Sequence, residues 1–572
     1  MKRLKLSLLI CLALILAASN SLSGSYKITG QAVYEHISIL ADDSLEGRQV
    51  GEAGEWKAAQ YISSVFDDIG LARAGDNGSN LQAFIFTKKI ELGQNNRLSI
   101  NGQDLKLLEE FEPMRQSASL GFSFENVVFV NYGIIVDSSD GSYSDYDGLD
   151  VDGQAVIIKR YAPDSTDNPH VDFSRYSSLT NKISTAISQG AAGIFFITPS
   201  SFDDTLPKFG ATRITPKDIS IVHLRRAALE KLKLDLDSPL VMAAVGETEL
   251  VKTRDTGYNV LGLLDTGNDS TVIIGAHYDH LGWGAAGSRY LGKEKMIHNG
   301  ADDNASGVAA ILELARYFES EKDELNYSIL FAAFSGEEAG LLGSNYFSKN
   351  MTVNSEAVRM MINFDMIGRL KDQESGLAIF GTGTTEQFKF YFDSLDSDEL
   401  QVVNKEPGTG PSDHTSFYNQ GIPVLHFFTG AHNDYHKPSD DTDSIDIEGT
   451  VKVIELAAKT IKHFDMLKEE LLFQKTVDPN AGKRRASFSV TLGIMPDYIA
   501  EVKGLRVDGV TPERPGDRAG LLSGDIIIGL GGNPIGDIYD YMNCLGKFRK
   551  HDTTYVVVER ANDTLKLEVI FE

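Results

Sequence analysis

Apolar residues recur along this chain with two periods, and the changes between them mark out its blocks. Between residues 26 and 110 two amphipathic helical patterns occur; the clearer places Ala59, Ile62, Phe66 and Ile69 on one face. From about Phe111 to Val251, short β-type runs such as Ala155–Lys159 and Gly193–Ile197 alternate with turn residues, and residues 181–189 read as a helix closed by Gly190. From Lys252 to Leu467 strands and helices alternate as in a doubly wound α/β layer. Buried strands are expected at Thr271–Gly275, Tyr327–Ala333, Met360–Phe364 and Ile422–Phe428, with helices at Val308–Phe318 and Ile445–Phe464. Lys475–Lys483, with Pro479 and Gly482, reads as a linker, and the chain from Arg484 onward is strand-rich. Neither tandem repeats nor low-complexity tracts occur. The expected division is 1–24, 25–110, 111–251, 252–470, a linker at 471–483, and 484–572.

The first block is not expected to belong to the fold. Lys2, Arg3 and Lys5 precede an apolar run from Leu6 to Ala18, followed by small and polar residues through Gly24. This is the pattern of a secretory signal, so export to a periplasm or the medium is expected. The apolar run is short for an uncleaved span of about 20 residues, Cys11 is too early and poorly preceded for a lipid anchor, and no later stretch has membrane-spanning character. The 572 residues suffice for about three to four domains. Asp and Glu number 81 against 54 Lys and Arg, a net charge of −27, which argues against nucleic acid and anionic lipid as partners. Cys11 and Cys544 are the only cysteines. With the first lost in the signal, neither an internal disulfide nor a cysteine-built zinc site is available.

The α/β block places its acidic and histidine residues where its strands stop, which is where open α/β sheets bind ligands. Strand Thr271–Gly275 runs into Ala276-His-Tyr-Asp-His280, and in an extended segment His277 and Asp279 project to the same side. A carboxylate so placed can orient a metal-binding imidazole. Next come Asn299-Gly-Ala-Asp-Asp-Asn-Ala-Ser-Gly307 at a helix mouth, Phe334-Ser-Gly-Glu-Glu338, Asn363-Phe-Asp-Met-Ile-Gly368, and Tyr435-His436 in a loop before the last long helix. Each alone has an ordinary reading: helix caps for the paired aspartates, a solvated face for the glutamates, a structural histidine at a strand end. Together, five strand ends or adjoining loops at one sheet edge each deliver a histidine or a carboxylate. So many anions without a cation would repel one another and resist desolvation. Mixed imidazole and carboxylate donors suit a pair of zinc ions, with manganese or cobalt as competitors.

These motifs, in this order, resemble the M28 family of co-catalytic zinc aminopeptidases, and Leu45-Glu-Gly-Arg48 followed by a helix resembles that family's amino-terminal segment. The resemblance implies a mixed, doubly wound zinc-peptidase sheet (phosphorylase-like) and two Zn2+ per chain. It implies His277 and Asp365 on one metal, Glu338 and His436 on the other, and Asp303 bridging both. Asp279 would support the ligands from behind, Glu337 would be the general base, and Tyr435 would donate to the developing oxyanion. His280, His298 and Asp302 do not match ligand positions and are expected to pack or to support. Residues 111–251 resemble a protease-associated (PA) domain, on Val151–Ile158, Lys182–Phe196 and Ile219–Leu224, serving as a lid or as a packed accessory. Residues 484–572 resemble a PDZ domain, on Thr491–Ile494, Gly504–Val510 and Asp517–Ile528. Such a domain takes a peptide or protein carboxyl terminus as an added strand, but Pro496 lacks an N–H in the segment that would pair with it. The implied substrates are peptides with a free amino terminus, whose ammonium suits an acidic pocket. A carboxypeptidase or dipeptidase of the same scaffold, a glutaminyl cyclase and a non-enzymatic binding scaffold are the alternatives.

Overall fold

The computed structural model describes residues 26–138, 141–163, 173–206, 217–234, 242–284, 287–372, 376–395, 400–467, 469–476, 490–497, 500, 502–561 and 563–572. The signal-like residues 1–24, part of the expected linker and the boundary at residue 484 lie outside them. The chain divides into two compact units, 1–84 with 256–477, and 85–255 with 478–572.

The first unit is built on a nine-stranded mixed sheet. Its strands are β1 (Ala72–Arg73), β2 (Leu81–Leu92), β3 (Leu250–Leu264), β4 (Thr271–His277), β5 (Ser328–Phe334), β6 (Val358–Phe364), β7 (Leu377–Phe380), β8 (Val402–Lys405) and β9 (Val424–Phe428). They lie in the order β1-β3-β5-β4-β6-β9-β7-β8, with β2 paired to β3. β4 runs parallel to both β5 and β6, and β6 parallel to β9; β3 and β7 join antiparallel. Every residue of β4 and β5 is buried, as expected of central strands covered on both faces. Four helices supply much of the cover: α1 (Gly30–Leu40), α2 (Ala53–Ile69), α3 (Gly307–Ser320) and α4 (Ile447–Met466). The Thr29 hydroxyl caps α1 by accepting the Ala32 N–H, and Asp446 caps α4 by accepting that of Gly449. One large core joins α1, α2, α3 and α4 to the sheet through Val33, Ile62, Phe66, Ile311, Phe331 and Ile454, all fully buried. No helix among the described residues is long and apolar enough to cross a membrane.

In the second unit, Val127–Phe129, Ala155–Lys159, Gly193–Ile197 and Ser220–Leu224 form a parallel run, with Phe111–Pro113 antiparallel at its edge. A four-stranded antiparallel sheet joins Gln103–Leu105, Arg97–Ile100, Ala244–Thr248 and Leu120–Phe124. The expected boundary at residue 111 falls inside this unit: Arg97–Ile100 pairs with Ala244–Thr248 of the insert and Gln103–Leu105 adds to its other edge, a long-range match that local periodicity does not reveal. The carboxyl-terminal part is an antiparallel sheet of Ile494–Pro496, Leu505–Val510, Ile526–Leu530, Asn533–Pro534, Thr553–Arg560 and Asp563–Ile570 with helices Pro515–Ala519 and Ile538–Leu545. Pro496 stands in its first strand, at a register shift in the pairing with Leu505–Val510.

Candidate metal centre

Parallel strands β4, β5 and β6 end at one edge of the sheet, and the residues just past each end converge. His277 closes β4 and Asp365 follows β6. The Nε2 of His277 lies 3.3 Å from Asp303 Oδ1 and 3.4 Å from Asp365 Oδ1. On the other side of Asp303, His436 Nε2 lies 3.2 Å from Asp303 Oδ2 and 3.1 Å from Glu338 Oε1. Donor atoms around a tetrahedral ion with bonds of 2.0–2.1 Å stand about 3.3 Å apart, so both trios have the spacing of a shared coordination sphere. Asp303 offers one oxygen to each. All five expected ligands come together in this way.

Asp303 reaches this place because the segment before α3 is not helical at residues 303 and 304. Gly300 starts it with a positive φ of 58°, and a side chain there would meet the Asp303 carbonyl and the His280 ring. Asn304 then takes up the work of a cap: its Oδ1 accepts the N–H groups of Gly307 and Met366, and its Nδ2 donates to the Phe364 carbonyl. The aspartates are thereby released from capping the helix, and Asp303 is tied to the end of β6 beside Asp365.

Two expected placements change. His280, expected to pack or support, stands beside the second trio, its Nδ1 3.0 Å from Glu338 Oε1 and 3.8 Å from Asp303 Oδ2; with Asp303 and Glu338 it forms a group of donors close enough to hold an ion. The family's motif does not count His280 as a ligand; its place here follows from the turn that the chain makes after His277, where β4 ends. Asp279 does not orient His277 through its carboxylate, which lies 3.8 Å away. The His277 Nδ1 is 3.1 Å from the Asp279 main-chain carbonyl instead, which places the ring proton at Nδ1 and leaves Nε2 free to coordinate. The Asp279 carboxylate accepts the Glu337 N–H at 3.0 Å and so ties the β4 end to the β5 end. Asp302 forms its own network, described below, and His298 sits between Ser288 and the Met296 carbonyl.

The electrostatics express crowding. Burial opposes ionisation of Asp303, yet His280, His277 and His436 hold its carboxyl well below the usual range. Burial likewise opposes protonation of His436, but Asp303 and Glu338 drive it up to about 10. Asp279 is pushed up to about 8 by burial, and burial raises Glu337 well above an ordinary carboxyl. Tyr435, stacked on His436 at a ring distance of 3.8 Å, is kept protonated by burial and the surrounding carboxylates. Against its burial, His277 is raised like His436 by the carboxylates beside it; donors so arranged fit divalent ions, whose binding would displace the protons on these two rings.

Two residues outside these motifs hold the edge. Arg48 is 1% exposed and donates to the carbonyls of Leu40, Tyr278, Asn299 and Gly300, joining the loop after β4 to the loop that carries Asp303. Gly47 makes this possible, with φ of 67° and the His298 carbonyl where a Cβ would lie. Glu55 accepts the hydroxyls of Ser335 and Tyr278 and the N–H groups of Gly51 and Tyr258. The Leu45–Arg48 motif signalled Arg48; nothing in the sequence signalled Glu55.

Residues 259–461 match peptidase family M28, and residues 483–571 match the PDZ domain. Leupeptin-inactivating enzyme 1 of Streptomyces exfoliatus is 31% identical over 37% of this chain and 44% of its own. Aminopeptidase YwaD of Bacillus subtilis is 25% identical over 76% of this chain and 85% of its own. A solved aminopeptidase from Aneurinibacillus sp. strain AM-1 aligns with a TM-score of 0.45 at 20% identity, covering 78% of this chain and 97% of that one. The match to leupeptin-inactivating enzyme 1 and to Aminopeptidase Y of Saccharomyces cerevisiae spans less than half of those relatives' length, 44% and 43%. The strand-end motifs, from His277 to His436, all fall within the residues that the family model matches: the chain carries a peptidase family M28 domain, followed by a PDZ domain.

Proposed function

We propose that the chain is an exported metallo-aminopeptidase that removes amino-terminal residues from peptides, using two zinc ions held by His277, Asp303 and Asp365 on one side and by Asp303, Glu338 and His436, with His280 beside them, on the other. The observation that carries this reading is the pair of donor trios sharing Asp303. Aminopeptidase names among the relatives support it, as does the signal-like amino terminus for export. Bound there, zinc supplies Lewis-acid polarisation of the scissile carbonyl and a water acidified toward neutrality.

The chain's own groups do the rest. Glu337 takes a proton from the attacking water on its carboxylate and delivers it to the leaving amine; its raised affinity for a proton suits both halves of that transfer. Its main chain is held by Asp279, so the carboxylate stays fixed relative to the end of β4. Tyr435 keeps its phenolic proton and donates it in a hydrogen bond to the oxyanion. The acidic surroundings favour a substrate ammonium over a substrate carboxylate. Peptides, and a carboxyl terminus at the PDZ domain, are the partners this reading assigns.

The test is a zinc assay coupled to hydrolysis of aminoacyl amides and short peptides, each with a free and with an acetylated amino terminus. Two zinc ions per chain and cleavage of the free-amine set alone are expected. Equal cleavage of the acetylated peptides would move the assignment to a carboxypeptidase, and absence of zinc would end it.

A further inference from the structure

Behind Asp303, on segments that also carry the candidate ligands, lies a second cluster of charged side chains. Asp440 is fully buried and receives three consecutive main-chain N–H groups: its carbonyl accepts that of Ala301 at 3.1 Å, and its carboxylate accepts those of Asp302 and Asp303, each at 3.1 Å. Arg369, 4% exposed, stands 3.4 Å from the Asp440 carboxylate and 3.1 Å from that of Asp434. Asp302 accepts the Gly368 N–H at 2.6 Å and the Ser306 hydroxyl at 3.1 Å, and faces His432 Nε2 at 3.2 Å. The His432 Nδ1 accepts the Asp434 N–H, so its proton sits at Nε2, toward Asp302.

The cluster therefore joins three segments: the one before α3, the loop after β6 and the loop after β9. These are the segments that carry Asp303, Asp365 and His436. We propose that Asp440, braced by Arg369, is a positioning residue for the carboxylate that both donor trios share. Its carboxylate fixes the peptide N–H groups on either side of the Asp302 side chain, and with them the direction in which the Asp303 carboxylate leaves the main chain. Charged acceptors hold N–H groups more firmly than neutral ones, and groups that orient ligands from behind govern metal affinity. Because Asp303 belongs to both trios, loosening Asp440 weakens both ions together.

The inference rests on the metal reading of the site, and the experiment separates the two. The metal-stripped full chain and its Asp440→Asn variant are titrated with zinc by calorimetry, and melting curves are recorded stripped and loaded. In wild type two ions bind; in the variant both binding steps weaken by about 10- to 100-fold, and the rise in melting temperature on adding zinc shrinks accordingly. A merely structural role would lower the stripped and loaded melting temperatures equally and leave both affinities intact, and that result overturns the proposal while leaving the metal centre standing. A wild-type chain that takes up no zinc overturns both. If Asp440→Asn does not fold, Arg369→Lys, which keeps the charge and loses the fork, carries the same test: a smaller joint weakening supports the positioning role, and wild-type affinity overturns it.

Discussion

The mixed sheet of the first unit and the parallel run of the insert each bring histidine and carboxylate side chains together, but they balance charge differently. In the insert the pairs described are one to one: Arg225 with Glu112 at 2.8 Å, Lys231 with Glu110 at 2.9 Å, and buried His223 Nε2 3.3 Å from Asp204. At the peptidase edge the partners described for Asp303, Glu338 and Asp365 are histidines, and they are shared: His277 between Asp303 and Asp365, His436 between Asp303 and Glu338. One-to-one pairing closes a structure on itself. Shared pairing leaves a net demand for positive charge, and both described donor groups close enough to hold an ion lie at that edge.

The largest test of this contrast is Glu337→Gln. Glu337 lies at the crowded edge but is not among the shared donors, so the variant should bind zinc as wild type does and lose about 10²- to 10⁴-fold in kcat on an aminoacyl amide. Loss of zinc would place Glu337 among the holders and redraw the comparison. Next is Arg48→Met. Arg48 is a buried cation at this edge that neutralises no carboxylate directly; burial lowers its guanidinium to about 10, against the pull of Asp303, Asp279 and Asp440. Its removal strips four buried carbonyls of a donor, and a loss of about 3 kcal/mol or more is expected in urea unfolding. A loss below about 1 kcal/mol would show those carbonyls finding other donors.

The last test sharpens the insert side. Lys182 is buried and donates to the carbonyls of Tyr132 and Lys159; burial lowers it from 10.5 to about 7. Between those values the unfolded chain keeps a proton that the folded chain has lost, so stability rises with pH across that window. Below pH 7 both states are protonated and the contribution is flat. Relative to wild type, Lys182→Met should lack this rise, a difference of at most about 1.4 kcal/mol per pH unit, read from unfolding midpoints at pH 7 to 10. Parallel curves for the two proteins would show that Lys182 stays charged when folded.

Periodicity made the strand ends legible. Expected strand Thr271–Gly275 extends to His277, Met360–Phe364 begins at Val358, and Ala155–Lys159 and Gly193–Ile197 match residue for residue. Ile422–Phe428 is shortened to Val424–Phe428, where Pro423 offers only its carbonyl to the neighbouring strand. Site residues were legible where a motif sits on a strand end. They were not where the partner is remote in sequence: Asp440 meets Asp302 and Asp303 across more than 130 residues, and Glu55 meets Ser335 across 280. The nearness of His280 to Glu338 was not legible either, because the chain turns within the motif itself and side-chain alternation holds only while a strand lasts.

The way the chain leaves and re-enters the peptidase unit has its own consequence. The Asn80 carbonyl accepts the Leu261 N–H at 2.7 Å and Asn259 donates to the Gln82 side chain at 3.0 Å, so the exit at residue 84 and the return at 256 belong to neighbouring threads of one ladder. A host opened at such a hairpin tolerates a spliced cassette of almost any length, since closing a longer loop adds little entropy. By the same token a tight turn could stand in for the whole cassette without stretching the host.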